Sequence, residues 1–175
     1  MILIEPDAAT LANQIELRAG GLALNVPELR TFLTKAKSVV GLRGEVSVLL
    51  ATDATVRALN RDFRRKDKAT DVLSFPVDGF PGERSKPVGD LAISIETAQS
   101  QADEHGHSLQ VEVKILMLHG LLHLAGYDHE TDNGQMEREE SALRKRLDLP
   151  VGLIQRSTRG AAKKNAARKA RGRGR

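Results

Sequence analysis

Three histidines fall within eleven consecutive residues of this chain, at His119, His123 and His129. His119 and His123 are four residues apart, so on a helix their imidazoles would stand on the same face. Gly126 could end such a helix, and the chain could then turn and bring His129 toward the same point. Three converging imidazoles with a fourth position open are typical of a catalytic zinc site. The spacing therefore predicts one metal ion per chain, bound by these three histidines.

The composition narrows the identity of this metal. The 175 residues include no cysteine, which excludes disulfides, thiolate ligands and a cysteine nucleophile. Ligation by nitrogen alone favours zinc, although nickel, copper and iron also bind imidazole. We therefore expect Zn2+ as the cofactor, and three protein ligands favour a catalytic ion over a structural one.

The pattern H-x-x-x-H-x-x-G-x-x-H is also the ligand spacing of the metzincin proteases. Those enzymes carry a glutamate directly after the first histidine as general base, and here that position is Gly120. Peptide hydrolysis by their mechanism therefore lacks its base. A metal at this site could still activate a water molecule, whereas RNA supplies a nucleophile of its own in the 2′-hydroxyl. The residues leave the choice between these two attacking groups open.

The residues around the histidines predict the elements that position them. Leu109 to Leu124 is apolar on nearly all sides, which is typical of a helix in the protein core. A helix over about 54–63 would have Val56, Leu59 and Phe63 on its inner face. Further helices are predicted at about 27–40, 96–104 and 133–147, and strands at 2–4, 45–51, 70–77 and 89–95. The sum is an α+β fold with a sheet of about four strands packed against helices.

The charge is distributed unevenly along the chain. The net charge is +4, but the stretch from Ser157 to Arg175 has eight basic residues and no acidic one, so the rest of the chain carries −4. We predict a single α+β domain over 1–155 and a basic disordered tail over 156–175. Residues 157–175 would either contact RNA phosphates through counterion release or only improve solubility.

The sequence predicts a cytoplasmic protein without a membrane anchor. No apolar run approaches the roughly 18–20 residues that a membrane-spanning helix needs. The first residues lack the basic stretch of a secretory signal peptide. The absence of cysteine agrees with a reducing compartment.

Three segments in order resemble the YbeY family, the bacterial zinc-dependent endoribonucleases of rRNA maturation. One segment is the histidine run from His119 to His129. Another runs from Leu59 to Pro76. Its first part, up to Arg64, resembles L-N-x-x-[FY]-R, and its last part resembles T-[DN]-V-L-S-F-P. Ala69 stands in place of the family's usual proline. The third, Gly89 to Ser94, resembles G-D-I-x-I-S. Together they lie within about residues 45–147.

The resemblance implies a mixed sheet with helices, a zincin-like metal helix, and one Zn2+ bound by His119, His123 and His129. It implies cleavage of single-stranded rRNA, maturation of the 3′ end of 16S rRNA, and a part in ribosome quality control. The ribosome or its small subunit would then be a partner. Two other functions stay open: a metal-dependent hydrolase of a peptide or small phosphoester, and a non-enzymatic ribosome-assembly factor stabilised by zinc.

The family's functional arginine corresponds to Arg64, which the resemblance implies is catalytic. A guanidinium can place two hydrogen bonds on a phosphate and stabilise its developing charge. The alternative is that Arg64 is a solvated residue of a basic loop. Asp71 could orient a ligand imidazole or cap a strand end, and His105 and His107 are predicted to be surface residues.

Overall fold

The computed structural model describes residues 1–19, 24–77, 87–129 and 131–150. These residues form two compact units, Met1–Asp128 and the part that begins at His129. The elements in chain order are β1 (Ile2–Ile4), α1 (Pro6–Ala19), α2 (Val26–Val40), β2 (Glu45–Ala51), α3 (Asp53–Arg64), β3 (Val72–Pro76), β4 (Pro87–Ser94), α4 (Ile95–His105), α5 (Leu109–Leu124) and α6 (Gln135–Arg146). The predicted domain over 1–155 and tail over 156–175 stay predictions, because residues 151–175 lie outside the described ranges.

The four strands of the described residues form one mixed sheet in the order β1-β2-β4-β3. β1 and β4 both run parallel to β2, whereas β3 runs antiparallel to β4. β3 is therefore an edge strand, where Pro76 costs no ladder hydrogen bond to a further strand. The sheet and its helices confirm the prediction of an α+β fold with about four strands.

Side chains of β3 alternate between the two faces of the sheet, as the pleat requires. The hydroxyl of Ser74 donates a hydrogen bond of 3.3 Å to the carbonyl of Gly120 on α5. Leu73 points the other way and is buried in a cluster with Val56 of α3. At this edge of the sheet, α5 consequently covers one face and α3 covers the other.

Helix α5 is the core helix, and its boundaries are those that the sequence predicts. The hydroxyl of Ser108 caps its first turn by accepting a hydrogen bond from the N–H of Val111. The helix contacts β3 and β4 as well as α2 and α4, so nearly all of its side chains are buried. No helix in the described ranges combines the length and the apolar character that crossing a membrane requires.

A buried acidic residue on α5 corrects one prediction. Glu112 is completely buried, and one of its carboxylate oxygens contacts Nε2 of His107. The side chain of His107 is only 11% exposed, so its prediction as a surface residue is wrong. A buried carboxylate needs a polar partner, and His107 supplies one just before the helix begins.

Helix α5 approaches the sheet very closely at Gly120. A Cβ atom at this position would lie 2.8 Å from Cδ2 of Leu91 and 3.3 Å from Cγ2 of Val72. Any side chain here would have to displace part of the sheet's packed face. The missing glutamate of the metzincin pattern therefore has a steric reason, because position 120 faces the sheet.

The carboxylate of Asp132 caps the start of α6 by accepting hydrogen bonds from backbone N–H groups. It accepts hydrogen bonds from Met136 at 2.8 Å, Gly134 at 2.7 Å and Gln135 at 3.1 Å. These bonds, that from Met136 first, lower the pKa of Asp132 below its usual value of 3.8. The ionised carboxylate thus satisfies donors at the start of α6 that have no partner within the helix.

We expect Gly120→Ala to lower the free energy of unfolding by about 1 kcal/mol, because overpacking against Leu91 outweighs the gain in helix propensity. Urea denaturation would measure this change. The matched control is the same substitution in a Leu91→Ala background, where the added methyl group has room and the loss should vanish. An increase in stability from Gly120→Ala alone would contradict the close contact.

The replacement Asp132→Asn should destabilise the protein at neutral pH, and the difference from wild type should close as the pH falls. The lowered pKa means that the stabilisation is fully present above pH 3.8 and is lost as pH drops through the folded-state pKa. Urea denaturation at pH 7, 5, 4 and 3 would measure the difference. Asp148→Asn, at an exposed carboxylate after α6, is the control. A constant gap at all four pH values would count against the cap.

Candidate metal centre

His119 and His123 stand one turn apart on α5 with their rings turned toward each other. Their Nε2 atoms are 3.2 Å apart, and the rings meet edge to face at 75°. Two nitrogens bound to one tetrahedral zinc ion at about 2.0–2.1 Å are roughly 3.3 Å apart. The pair therefore already has the separation that a shared zinc ion requires.

His129 joins this pair. One ligand nitrogen from each of His119, His123 and His129 can be chosen so that all three lie within 4.8 Å of one another. His119 is buried, His123 is half-buried and His129 is exposed, so such a centre would be accessible from solvent. The donor set fits zinc, since three neutral nitrogens leave a fourth tetrahedral position for a substrate or water.

Gly126 ends α5 and starts the turn toward His129. Its φ of 92° lies in the left-handed region, which glycine adopts without the steric cost of a Cβ atom. Its N–H bonds to the carbonyl of His123 at 3.0 Å, and the N–H of Tyr127 bonds to that of Leu122 at 3.1 Å. His123 also lies in the last turn, where the partial negative charge of a helix favours a cation.

Arg64 is the last residue of α3, and its side chain reaches the open edge of the sheet. Its Nη2 donates a hydrogen bond of 3.1 Å to the carbonyl of Ser74. Asp71 and Val77 make the ladder hydrogen bonds to β4, so the carbonyl of Ser74, at the alternate position, faces away from β4. Because the hydroxyl of Ser74 bonds to Gly120, two hydrogen bonds connect Arg64 with the residue that follows His119.

The chain just after Arg64 is held by two further contacts. Arg57 forms a two-pronged pair with Asp67, at 2.7 and 2.9 Å, which lowers the pKa of the Asp67 carboxyl through the hydrogen bond from Arg57. The amide of Asn60 donates to the carbonyl of Lys68 at 2.7 Å. Arg64 is exposed on this fixed turn, and its assignment as a catalytic residue stays a prediction.

Asp71 has contacts that favour the structural alternative. Its carboxylate accepts hydrogen bonds from the N–H of Val72 at 2.8 Å and from the amide of Gln101 at 3.0 Å. These bonds fix the start of β3 and link it to α4. They use both carboxylate oxygens, as expected of a residue that caps a strand end.

The prediction for Phe63 is wrong. The sequence places this side chain on the inner face of α3, but 69% of it is exposed. Its ring meets that of Phe75 edge to face, at a centroid distance of 5.3 Å. Phe75 lies on the edge strand, and the described residues provide no further strand to cover Phe63. Helix periodicity cannot reveal this, because it depends on the order of the strands.

Comparison with known proteins shows extensive similarity to one family. The family model for endoribonuclease YbeY matches residues 21–148. The endoribonuclease YbeY of Koribacter versatilis is 55% identical over 145 residues, which cover 82% of this chain and 90% of that protein. The protein of the same name from Solibacter usitatus is 46% identical over 144 residues, with coverage of 82% and 94%.

More distant similarity extends to Helicobacter pylori and Thermotoga maritima. The endoribonuclease YbeY of H. pylori strain J99 is 43% identical over 125 residues, 71% of this chain and 86% of that protein. A T. maritima protein solved in solution is 25% identical with a TM-score of 0.47, and the match covers 84% of this chain and 89% of that one. The family match and the high identity to curated relatives decide the assignment: the chain belongs to the endoribonuclease YbeY family.

Proposed function

We propose that this protein is a zinc-dependent endoribonuclease that cleaves single-stranded rRNA, matures the 3′ end of 16S rRNA and takes part in ribosome quality control. The observation that carries the metal-dependent part is the group of His119, His123 and His129, whose ligand nitrogens lie within 4.8 Å of one another. The relatives named endoribonuclease supply the substrate class.

Gly120 supports a substrate other than a peptide. The metzincin general base would have to stand at this position, where even a Cβ atom meets Leu91 at 2.8 Å. RNA places no such demand on the residue, because its ribose hydroxyl can serve as the nucleophile. A bound zinc ion would supply charge stabilisation at a phosphate oxygen or a lowered pKa for water.

Arg64 is the residue that we propose acts on the phosphate. Its side chain is exposed, and a guanidinium carries five N–H donors, of which Nη2 supplies the one that bonds to Ser74. The remaining donors can bind a phosphodiester, and a guanidinium stabilises the negative charge that grows on the phosphate in the transition state. The hydrogen bond to Ser74 would limit the positions that the side chain samples.

The partners follow from the proposed reaction. We propose single-stranded rRNA within the ribosome or its small subunit as the substrate, with the protein acting in the cytoplasm. The basic stretch 157–175, which lies outside the described residues, would add phosphate contacts that weaken as salt is raised.

Purified protein should contain one zinc ion per chain, and His119→Ala combined with His123→Ala should abolish this binding. Metal analysis after gel filtration would measure the stoichiometry. Free zinc at about a hundred times its dissociation constant should add about 2.7 kcal/mol to the free energy of unfolding of the wild type. His105→Ala, which removes a histidine outside the trio, is the matched control and should retain the ion. Full zinc occupancy in the double variant would refute the site.

Replacement of Arg64 by alanine should lower the rate of single-stranded RNA cleavage by about a hundredfold to a thousandfold, as the loss of one preorganised donor does in other enzymes. Arg64→Lys should recover only part of the rate, because an ammonium cannot bind phosphate with a planar fork. Cleavage of a fluorescent single-stranded RNA by nuclease-free protein would measure both rates.

The control for this prediction is Arg30→Ala, which removes one exposed positive charge from α2 and should cleave at the wild-type rate. Cleavage that persists unchanged in Arg64→Ala would show that Arg64 does not act on the phosphate. Cleavage that also persists in the His119→Ala and His123→Ala double variant would point to a contaminating nuclease.

A further inference from the structure

We propose that Phe63 is a stacking platform for an unpaired base of single-stranded RNA, at a subsite beside the reacting phosphate rather than at the metal itself. This inference rests on the proposed ribonuclease function. Phe63 is 69% exposed, and leaving a phenylalanine in water sacrifices the stabilisation that its burial would give. A base that stacks on the ring would cover this surface.

The ring of Phe63 is held in place but not covered. Its contact with Phe75 is edge to face, at 69° and 5.3 Å between centroids. Phe75 itself packs against the cluster that includes Val56 and Leu73, so the platform is tied to the core. An edge-to-face neighbour fixes the orientation of a ring, whereas a parallel-stacked neighbour would also cover one of its π-faces. Fixed aromatic rings of this kind bind bases of any sequence.

Positive charge follows this ring along the chain, which favours a nucleic acid over an apolar protein partner. Arg64, Arg65 and Lys66 follow Phe63 directly, and all three are exposed. Lys68 is exposed as well, on the same turn. A groove that binds single-stranded nucleic acid combines an aromatic platform with cations that follow the phosphates. The four cations and the ring provide both components within six consecutive residues.

The position of the platform fixes its relation to the metal centre. Phe63 lies on the face of the sheet that α3 covers, whereas His119 lies on α5 at the opposite face. Arg64 lies between them, at the open edge, through its hydrogen bond to Ser74. RNA that passes over this edge would place one phosphate near Arg64 and a flanking base on Phe63. The platform would therefore contribute to substrate affinity and leave the chemical step unchanged.

The test uses the zinc-loaded full chain and an uncleavable probe, a 2′-O-methyl single-stranded oligonucleotide. Phe63→Leu keeps an apolar side chain against Phe75 but removes the π-face. Its dissociation constant for the probe should rise about fivefold to a hundredfold, whereas Phe63→Tyr should bind as the wild type does. Fluorescence anisotropy would measure both, and an unchanged dissociation constant in Phe63→Leu would overturn the proposal.

A second measurement reads stacking directly. The chain contains no tryptophan, so Phe63→Trp introduces a single reporter whose fluorescence a stacked base should quench when the probe is added. Leu3→Trp, at an exposed position on the opposite edge strand β1, should not be quenched. Equal quenching at both sites, or none at Phe63→Trp, would show that no base stacks there.

The salt dependence of binding separates the platform from its charged neighbours. Lys66→Gln should reduce the steepness of log association constant against log salt concentration by about 1, the loss of one phosphate contact. Phe63→Leu should leave that slope unchanged. A reduced slope in Phe63→Leu would refute stacking as the cause of its weaker binding. If the wild type binds the probe and the probe quenches Phe63→Trp, but the wild type cleaves no RNA, the proposed ribonuclease function fails and the base-stacking subsite stands.

Discussion

The spacing of two imidazoles on a buried helix is the constraint on which the rest of the site depends. His119 and His123 face each other with 3.2 Å between their Nε2 atoms. Because α5 is buried on nearly every side, its packing fixes the direction in which both imidazoles point. The sheet, α2 and α4 all contact this helix. The rigid core thus determines where two of the three ligand nitrogens lie, and only His129 depends on a turn.

The same packing limits the chemistry that the site can perform. Gly120 brings α5 so close to the sheet that even a Cβ atom here would meet Cδ2 of Leu91 at 2.8 Å. The histidine spacing of a protease family is consequently combined with a helix face that disfavours the protease's glutamate. The proposed roles of Arg64 and of the RNA follow from this combination, since the proton transfers cannot be assigned to a side chain at position 120.

Much of the fold follows from local patterns in the sequence, and the exceptions have physical causes. The apolar run of α5 and the strand β2 are as predicted, because each is determined by neighbours in the chain. Helix α1 was not recognisable, since residues 6–24 show no clear periodicity. The predictions for His107 and Phe63 are wrong. The burial of His107 depends on its contact with Glu112, and the exposure of Phe63 depends on the order of the strands.

The histidine trio is the part of the site that the sequence predicts best. Residues four apart share a helix face, and Gly126 marks the end of that helix, so the approach of His129 could be anticipated. The surroundings of Arg64 cannot be predicted from the sequence, because its contact with Ser74 joins the end of a helix to a strand ten residues further on. That contact required the antiparallel pairing of β3 with β4, which local patterns do not specify.

The open margin of β3 bears on whether a strand from another molecule can add to the sheet. An unpaired strand edge invites a strand from another molecule to add to the sheet, yet Pro76 has no N–H to offer and the guanidinium of Arg64 occupies the carbonyl of Ser74. The other N–H donors of the same guanidinium are the ones proposed to bind phosphate. One side chain would thus shield the sheet margin and hold the nucleic acid at the same time.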